Sequence, residues 1–171
     1  MTDQLADKLS FLGSPAAITF VLASLPISEL RGALVYALTL TEIPLVKAYC
    51  ISVAGNMLPI PFILYLLGPI SEFISKSPAG ARFVQWIFAR TRARSETVRK
   101  YETLGLILFV AIPLPVTGAW TGSMAAFLFG LRKIPALIAV FCGVLIAGVV
   151  VSVVTLGAQE AFAGFLHLFG R

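Results

Sequence analysis

Charged side chains are almost absent from two long stretches of this chain, and that scarcity limits its fold more than any other feature of the sequence. The 171 residues include 13 basic and 8 acidic side chains. The charged side chains are Glu29, Arg31, Glu42 and Lys47 within residues 13–68, and Arg132 and Lys133 within residues 103–157. A membrane crossing needs about 20 apolar residues, so each stretch has room for two crossings at most. We therefore expect an all-α integral membrane protein without a soluble catalytic domain.

The segment between the two apolar stretches, residues 71–102, is strongly basic. It holds seven basic residues and three acidic ones. Basic loops stay on the cytoplasmic side, so we place this connector in the cytoplasm. We expect the protein in the inner membrane of a prokaryote. The connector's aromatic residues among arginines predict a basic amphipathic helix on anionic lipid, with a dedicated headgroup or partner site as the alternative. A basic cluster of this kind does not indicate a nucleic-acid partner.

The two apolar stretches share a pattern that predicts an internal duplication. Leu25-Pro26-Ile27-Ser28 and Leu114-Pro115-Val116-Thr117 both consist of leucine, proline, a β-branched residue and a hydroxyl residue. Their prolines are 89 residues apart, and a second pair, Pro44 and Pro135, is 91 residues apart. Two matched spacings favour duplication over chance more than either match alone.

The duplication divides the chain into two repeats and a connector. Pro44 and Pro135 each stand where proline is favoured, at the start of a helix, and so mark the beginning of a span. The predicted segments are repeat one at 14–70 (arm 15–40, span 44–68), a connector at 71–103, repeat two at 104–157 (arm 104–131, span 135–157) and an interfacial C-terminal segment at 158–171.

Each arm is predicted to break near its middle. Pro26 and Pro115 lack a backbone donor and disfavour helix in the preceding residue. Ser28 and Thr117 stand where the N-cap of a second half-helix would lie. A half-helix over 15–25 rises only about 16 Å against a hydrocarbon core of about 30 Å. We therefore predict that each arm is a re-entrant helix-break-helix hairpin.

The placement of charge predicts that the two repeats are inverted. If all four apolar segments crossed, Arg132 and Lys133 would lie outside, against the positive-inside trend. If the arms are re-entrant, Glu42 lies outside with the first arm, and Arg132 and Lys133 lie inside beside the connector. Inverted repeats with broken helices near the membrane midplane are the architecture of secondary transporters.

Glu29 and Arg31 form the one charged pair within the first arm. A charge at the bilayer centre costs at least about 2.5 kcal/mol, so the pair needs a compensating role. One interpretation is structural, with both side chains fixing the hairpin through hydrogen bonds. The functional interpretation is that Glu29 titrates as a coupling site and Arg31 contacts an anion. Glu29 in the first turn after Ser28 is also favoured by the helix dipole.

The remaining candidate residues surround the two breaks. Half-helix N-termini at Ser28 and Thr117 would direct backbone donors toward a shared cavity that holds an anionic group. Gly32, Gly118 and Gly122 allow close approach of either a substrate or a neighbouring helix. Asn56 and Trp120 are candidate ligand contacts, with an interhelical hydrogen bond and simple packing as the respective alternatives.

The motifs at the breaks resemble those of a known family. The runs "ELRGA" at 29–33 and "IPLPVTGAWTGS" at 112–123 resemble the signatures of the small multidrug export protein family, which is itself similar to the DedA and SNARE-associated Golgi superfamily. The resemblance implies an inverted-repeat membrane protein whose two re-entrant hairpins meet near the bilayer centre. It also implies movement or scrambling of phospholipids and polyprenyl phosphates, with acidic and arginine hairpin residues that Glu29 and Arg31 match.

These observations lead to one preferred function and to alternatives from other classes. We expect a proton-coupled transporter or lipid flippase that moves a small amphipathic substrate, phosphate-bearing in the favoured case, where the hairpins meet. Export of small cationic drugs, a non-transporting lipid-organising scaffold and an intramembrane enzyme are the alternatives, and the arms contain no catalytic or two-histidine metal motif. We expect membrane lipids, protons and a second copy in a homodimer as partners, and neither a cofactor nor a bound metal.

Overall fold

The computed structural model describes residues 13–82, 84–85, 96–112 and 117–169. All regular secondary structure in these residues is α-helical, which confirms the predicted fold class at this level. The predicted break residue Pro115 and most of the basic connector lie outside the described residues.

Short helices and long apolar segments alternate along the described residues. Residues 15–74 contain a short pair followed by a long segment that is interrupted once, and residues 96–169 contain a pair followed by one continuous helix. The bounds are α1 Pro15–Ser24, α2 Glu29–Leu40, α3 Leu45–Met57, α4 Pro59–Ile74, α5 Glu96–Ala111, α6 Ala119–Leu128 and α7 Lys133–Phe169.

Two segments are long and apolar enough to cross a membrane. They are Leu45–Ile74, which comprises α3 and α4, and Lys133–Ala163 within α7. At a rise of about 1.5 Å per residue either one exceeds a hydrocarbon core of about 30 Å. Leu58 between α3 and α4 keeps helical dihedral angles, so the interruption before Pro59 is local. We refer to these segments as the first and second spans.

The spans begin within two residues of the prolines that predict them. The first starts at Leu45, and the carbonyl of Pro44 accepts the N–H of Ala48 at 2.9 Å, as a residue just before a helix does. The second starts at Lys133, so Pro135 lies in its first turn, where proline is tolerated. Helix α7 continues through the predicted C-terminal segment as far as Phe169.

The chain folds as two compact units. Unit 1 comprises residues 1–56 and 147–171, and unit 2 comprises residues 57–146. Unit 1 thus contains the first arm, the beginning of the first span and the end of the second. Unit 2 contains the end of the first span, the second arm and the beginning of the second span.

Close helix packing at glycines organises unit 1. Helix α1 packs against α2, and a Cβ atom at Gly55 would lie 2.4 Å from the carbonyl oxygen of Phe20 in α1. The bare glycine therefore lets α3 approach the α1 backbone. Farther along, the Gln159 side chain in the second span donates to the carbonyl of Leu38 in α2 at 3.2 Å.

Unit 2 also contains helices that pack closely at a glycine. Helix α6 packs against α4 and α5. A Cβ atom at Gly143 in the second span would lie 2.9 Å from the carbonyl oxygen of Ile107 in α5 and 2.6 Å from Cβ of Val110. In each unit, a glycine of the span that follows an arm thus lies against a backbone carbonyl of that arm's first helix.

A cation–aromatic contact joins the two spans within unit 2. The ammonium group of Lys133, the first residue of α7, lies 4.3 Å from the centre of the Tyr65 ring in α4. Such a contact is attractive because the face of an aromatic ring carries partial negative charge. The beginning of the second span therefore lies beside the later half of the first.

Candidate functional site

The first arm breaks at Pro26. Helix α1 ends at Ser24, and Leu25 is extended with φ −78° and ψ 142°, the conformation that a following proline favours. Residues 26–28 then form a single turn that is closed by the Glu29 N–H, which donates to the Leu25 carbonyl at 2.9 Å. Helices α1 and α2 are thus separated by one turn that begins at Pro26.

Glu29 has an unusual backbone conformation. Its φ angle is +48°, and it is the only non-glycine residue with positive φ in the described part of the chain. The left-handed region costs an L-residue with a Cβ about 1–2 kcal/mol. Such strain concentrates at functional sites, where the surrounding structure holds the residue in place. Here it redirects the chain from the single turn into α2.

Ser28 occupies the N-cap position of α2, but it does not cap the helix in the way we expected. Its own backbone is helical and its side chain accepts no cap hydrogen bond. The hydroxyl instead donates to the carbonyl of Leu22, in the last turn of α1. The predicted N-cap role is therefore wrong, because the single turn directs this side chain back toward the preceding helix.

Gly32 lies against Ser28. A Cβ atom at Gly32 would lie 2.9 Å from Cβ of Ser28, and the Gly32 N–H donates to the Ser28 carbonyl at 2.8 Å. This is tighter than real Cβ contacts, so a larger residue would displace the turn. Gly32 therefore supports the turn that carries Glu29. This favours the packing interpretation of this glycine over a contact with substrate.

Glu29 and Arg31 lie close enough for their opposite charges to attract each other. Glu29 is only 9% exposed, whereas Arg31 is half-buried. On a regular helix, side chains two positions apart point to different faces. The left-handed backbone at Glu29 changes the direction of its side chain relative to Arg31. The result is a buried carboxylate beside a partly accessible guanidinium.

The second arm breaks before α6, and here too the predicted cap is wrong. Helix α6 begins at Ala119 with Gly118 as N-cap in an extended conformation. The Gly118 N–H donates to the Thr121 hydroxyl at 3.0 Å. Thr117 stands one residue earlier, and its hydroxyl donates to the Ile112 carbonyl at 2.9 Å. Gly118 can occupy the cap position because the hydroxyl of Thr121, inside the helix, accepts its N–H.

The other predicted residues fall into two groups. Gly122 packs inside unit 2, where an added Cβ would lie 2.5 Å from Val110, and this favours the packing interpretation. Trp120 is half-buried at the start of α6. Asn56 is 2% exposed in α3, and its carbonyl oxygen has no hydrogen-bond partner in the described part of the protein.

The structure brings together four of the predicted residues at one turn, in unit 1: Ser28, Glu29, Arg31 and Gly32. Thr117, Gly118, Trp120 and Gly122 lie in unit 2, and Asn56 lies in unit 1. Sequence analysis missed Ser52, a buried serine one turn before Asn56 whose hydroxyl also has no partner among the described residues. The spacing of four between Ser52 and Asn56 is the signal that could have found it.

The apolar spans and the two broken arms define a class, an all-helical membrane protein with a charged pair at a strained helix break. A model of the family described as "Putative small multi-drug export protein" matches residues 29–150, which is more than half of the chain and includes both arm motifs. The chain belongs to this family. No curated protein and no solved structure matches it.

Proposed function

We propose that the protein is a transporter of the small multidrug export type that moves an amphipathic anionic substrate, such as a lipid phosphate or polyprenyl phosphate, by proton-coupled alternating access. Arg31 contacts the anionic group, and Glu29 carries the coupling proton. The observation that carries the proposal is the buried, backbone-strained carboxylate of Glu29 beside the half-buried guanidinium of Arg31.

The charged pair supports an anionic substrate over a cationic one. A drug cation would need a carboxylate as its counter-ion, but the carboxylate of Glu29 already has a positive charge beside it. Arg31 is the more accessible of the two side chains, and a guanidinium recognises phosphate through paired hydrogen bonds. Export of small cationic drugs is the second candidate, because the family's description names it.

Contacts within each unit support antiparallel spans and hence re-entrant arms. In unit 2, Lys133 at the start of the second span lies against Tyr65 in the later half of the first. In unit 1, Gln159 near the end of the second span bonds Leu38, shortly before the first span begins. If all four segments crossed, the two spans would run parallel and the starts of both would lie on one side. We propose inverted repeats on this basis.

Flux through reconstituted vesicles tests the substrate and the coupling together. Purified wild-type protein is placed in vesicles with an imposed pH gradient, and movement of a fluorescent lipid phosphate is compared with movement of a cationic dye. We expect flux of the lipid phosphate that depends on the gradient. Glu29→Gln should abolish the coupled flux, and Arg31→Gln should reduce it at least tenfold. Glu42→Gln, a change at an exposed carboxylate, is the matched control and should retain flux.

Each other result has a defined meaning. Full activity of Glu29→Gln would remove this residue from the mechanism. Flux of the dye alone would replace the proposed substrate with small cationic drugs. Absence of flux for both probes, with protein that is folded and correctly inserted, would favour the lipid-organising scaffold.

Labelling of single cysteines tests the inverted topology. Glu42 and Lys133 are both exposed, so Glu42→Cys and Lys133→Cys can each be reacted with a membrane-impermeant thiol reagent in a background where Cys50 and Cys142 are replaced by alanine. We expect Glu42→Cys to react from outside and Lys133→Cys from the cytoplasmic side. Reaction of both from one side would contradict re-entrant arms.

A further inference from the structure

Two buried oxygen atoms on one face of α3 lack hydrogen-bond partners in the described part of the protein. They are Oγ of Ser52 and Oδ1 of Asn56, and the two residues are 0% and 2% exposed. Residues four positions apart lie on the same side of a helix, one turn from each other. Burying a polar group without a partner costs about 1–3 kcal/mol, so a pair of this kind needs an explanation.

The position of Gly55 shows which helix packs against this part of α3. Gly55 shares the helix face with Ser52 and immediately precedes Asn56, and its missing Cβ would point at the carbonyl oxygen of Phe20 and at Ala23. The part of α3 that contains these residues therefore packs against the C-terminal half of α1. The C-terminal end of a helix carries partial negative charge.

A third oxygen in the same turn lacks its usual donor for a covalent reason. In a regular helix the carbonyl of Gly55 would accept the N–H of residue 59, but residue 59 is a proline and has no N–H. The helix is interrupted at this point, between α3 and α4. Because Leu58 keeps helical dihedral angles, the Gly55 carbonyl points toward residue 59, so it lies near Asn56 but about one turn beyond the hydroxyl of Ser52.

The chemistry of these groups favours a small cation. All of these oxygens are neutral, and none of the three residues contributes a carboxylate, which divalent Ca²⁺ and Mg²⁺ sites normally include. Carbonyl oxygens and the C-terminal ends of half-helices bind Na⁺ within membrane transporters. Such a site needs no histidine, cysteine or carboxylate ligand.

We propose that Ser52 Oγ and Asn56 Oδ1 form part of a binding site for a monovalent cation of the size of Na⁺, beside the C-terminal half of α1. The site adds a cation to the proposed transporter, but its occupancy requires neither the proposed substrate nor transport. Binding and flux are therefore separate measurements, and either proposal can fail without the other.

Thermal unfolding of the purified protein in nanodiscs, with NaCl replaced stepwise by N-methylglucamine chloride at constant ionic strength, tests the site. We expect Tm to rise with Na⁺ and to saturate, and radioactive ²²Na⁺ to bind with the same midpoint. Ser52→Ala and Asn56→Leu should each raise that midpoint at least tenfold. Ser152→Ala is the matched control, because Ser152 is also buried in unit 1 but its hydroxyl donates to the Gly148 carbonyl. Its midpoint should be unchanged.

Three outcomes would overturn the proposal. One is a wild-type Tm that does not distinguish Na⁺ from N-methylglucamine, together with absence of ²²Na⁺ binding. Another is Na⁺ binding that Ser52→Ala leaves intact, since this would place the ion elsewhere. The third is an equal loss of binding in Ser152→Ala, which would show a general effect of removing buried hydroxyls. If Asn56→Leu fails to fold, Na⁺ binding by the wild-type protein and by Ser52→Ala still tests the proposal.

Discussion

The two helix breaks of this protein share a framework, a hydroxyl group that bonds back to the preceding helix, but differ in the residue that follows it. At each break a hydroxyl residue, two positions after the proline of the repeat, donates back to a carbonyl at the end of the preceding helix. Ser28 donates to Leu22, and Thr117 donates to Ile112. The first break then continues through Glu29 at φ +48°, whereas the second continues through the extended N-cap Gly118.

This difference separates the groups that shape an arm from the groups that do chemistry there. The backward hydroxyl bond recurs without charge at the second break, so charge is not needed to form a break. The strained glutamate and its arginine occur at the first break alone among the described residues. We therefore assign the proposed chemistry to the first arm, and the hydroxyl bonds to its framework.

The largest expected effect on stability concerns the close packing at glycines that occurs within each unit. Gly55→Ala places a methyl group 2.4 Å from the Phe20 carbonyl, and overpacking of this kind costs about 1–3 kcal/mol. Gly143→Ala should cost a similar amount, because its methyl group would meet Val110 and the Ile107 carbonyl. Thermal unfolding in detergent measures both. Gly68→Ala is the control, since nothing lies within 4 Å of its Cβ position. Equal stability of all three variants would contradict the packing.

The hydroxyl bonds should contribute equally at the two breaks. Ser28→Ala and Thr117→Val each remove one hydrogen bond to a helix-terminal carbonyl, and we expect each to lower the free energy of unfolding by about 1 kcal/mol. The same unfolding assay measures both losses. A loss confined to one variant would show that the breaks do not share this framework.

The left-handed backbone at Glu29 predicts that glycine and alanine substitutions there reverse their usual order of stability. In a regular helix glycine is less stable than alanine by about 1 kcal/mol. At φ +48° we expect Glu29→Gly to be more stable than Glu29→Ala by about 1 kcal/mol. Glu160, an exposed residue of α7, gives the control pair, in which Glu160→Ala should be the more stable. If Glu29 shows the ordinary order, its backbone is not left-handed.

The smallest effect is expected at the hydrogen bond from Gln159 to Leu38. This bond is exposed, so Gln159→Leu should cost at most about 0.5–1 kcal/mol, the lower range for a hydrogen bond. Unfolding measurements check the size of the change. A cost of several kcal/mol would mean that this contact organises unit 1 more strongly than the packing at Gly55.

The breaks and spans could be predicted because they depend on local rules. Proline disfavours helix in the preceding residue, and Leu25 before Pro26 is extended in agreement with that preference. The span starts follow from prolines and apolar length in the same way. The all-helical class follows from the scarcity of charge in two long stretches.

The caps and the Ser52–Asn56 pair could not be predicted in this way. A serine hydroxyl can donate as well as accept, and only the path of the chain decides that Ser28 donates to α1. A left-handed glutamate contradicts local preference. The unpartnered oxygens of Ser52 and Asn56 depend on what the neighbouring helices offer, which is a tertiary property.

The conformation of Glu29 also has a consequence at the level of the gene. Both glutamate codons are one nucleotide away from a glycine codon, and glycine adopts positive φ without strain. A lineage that no longer needed the carboxylate would have a single-step substitution open to it, one that relaxes the turn instead of damaging it.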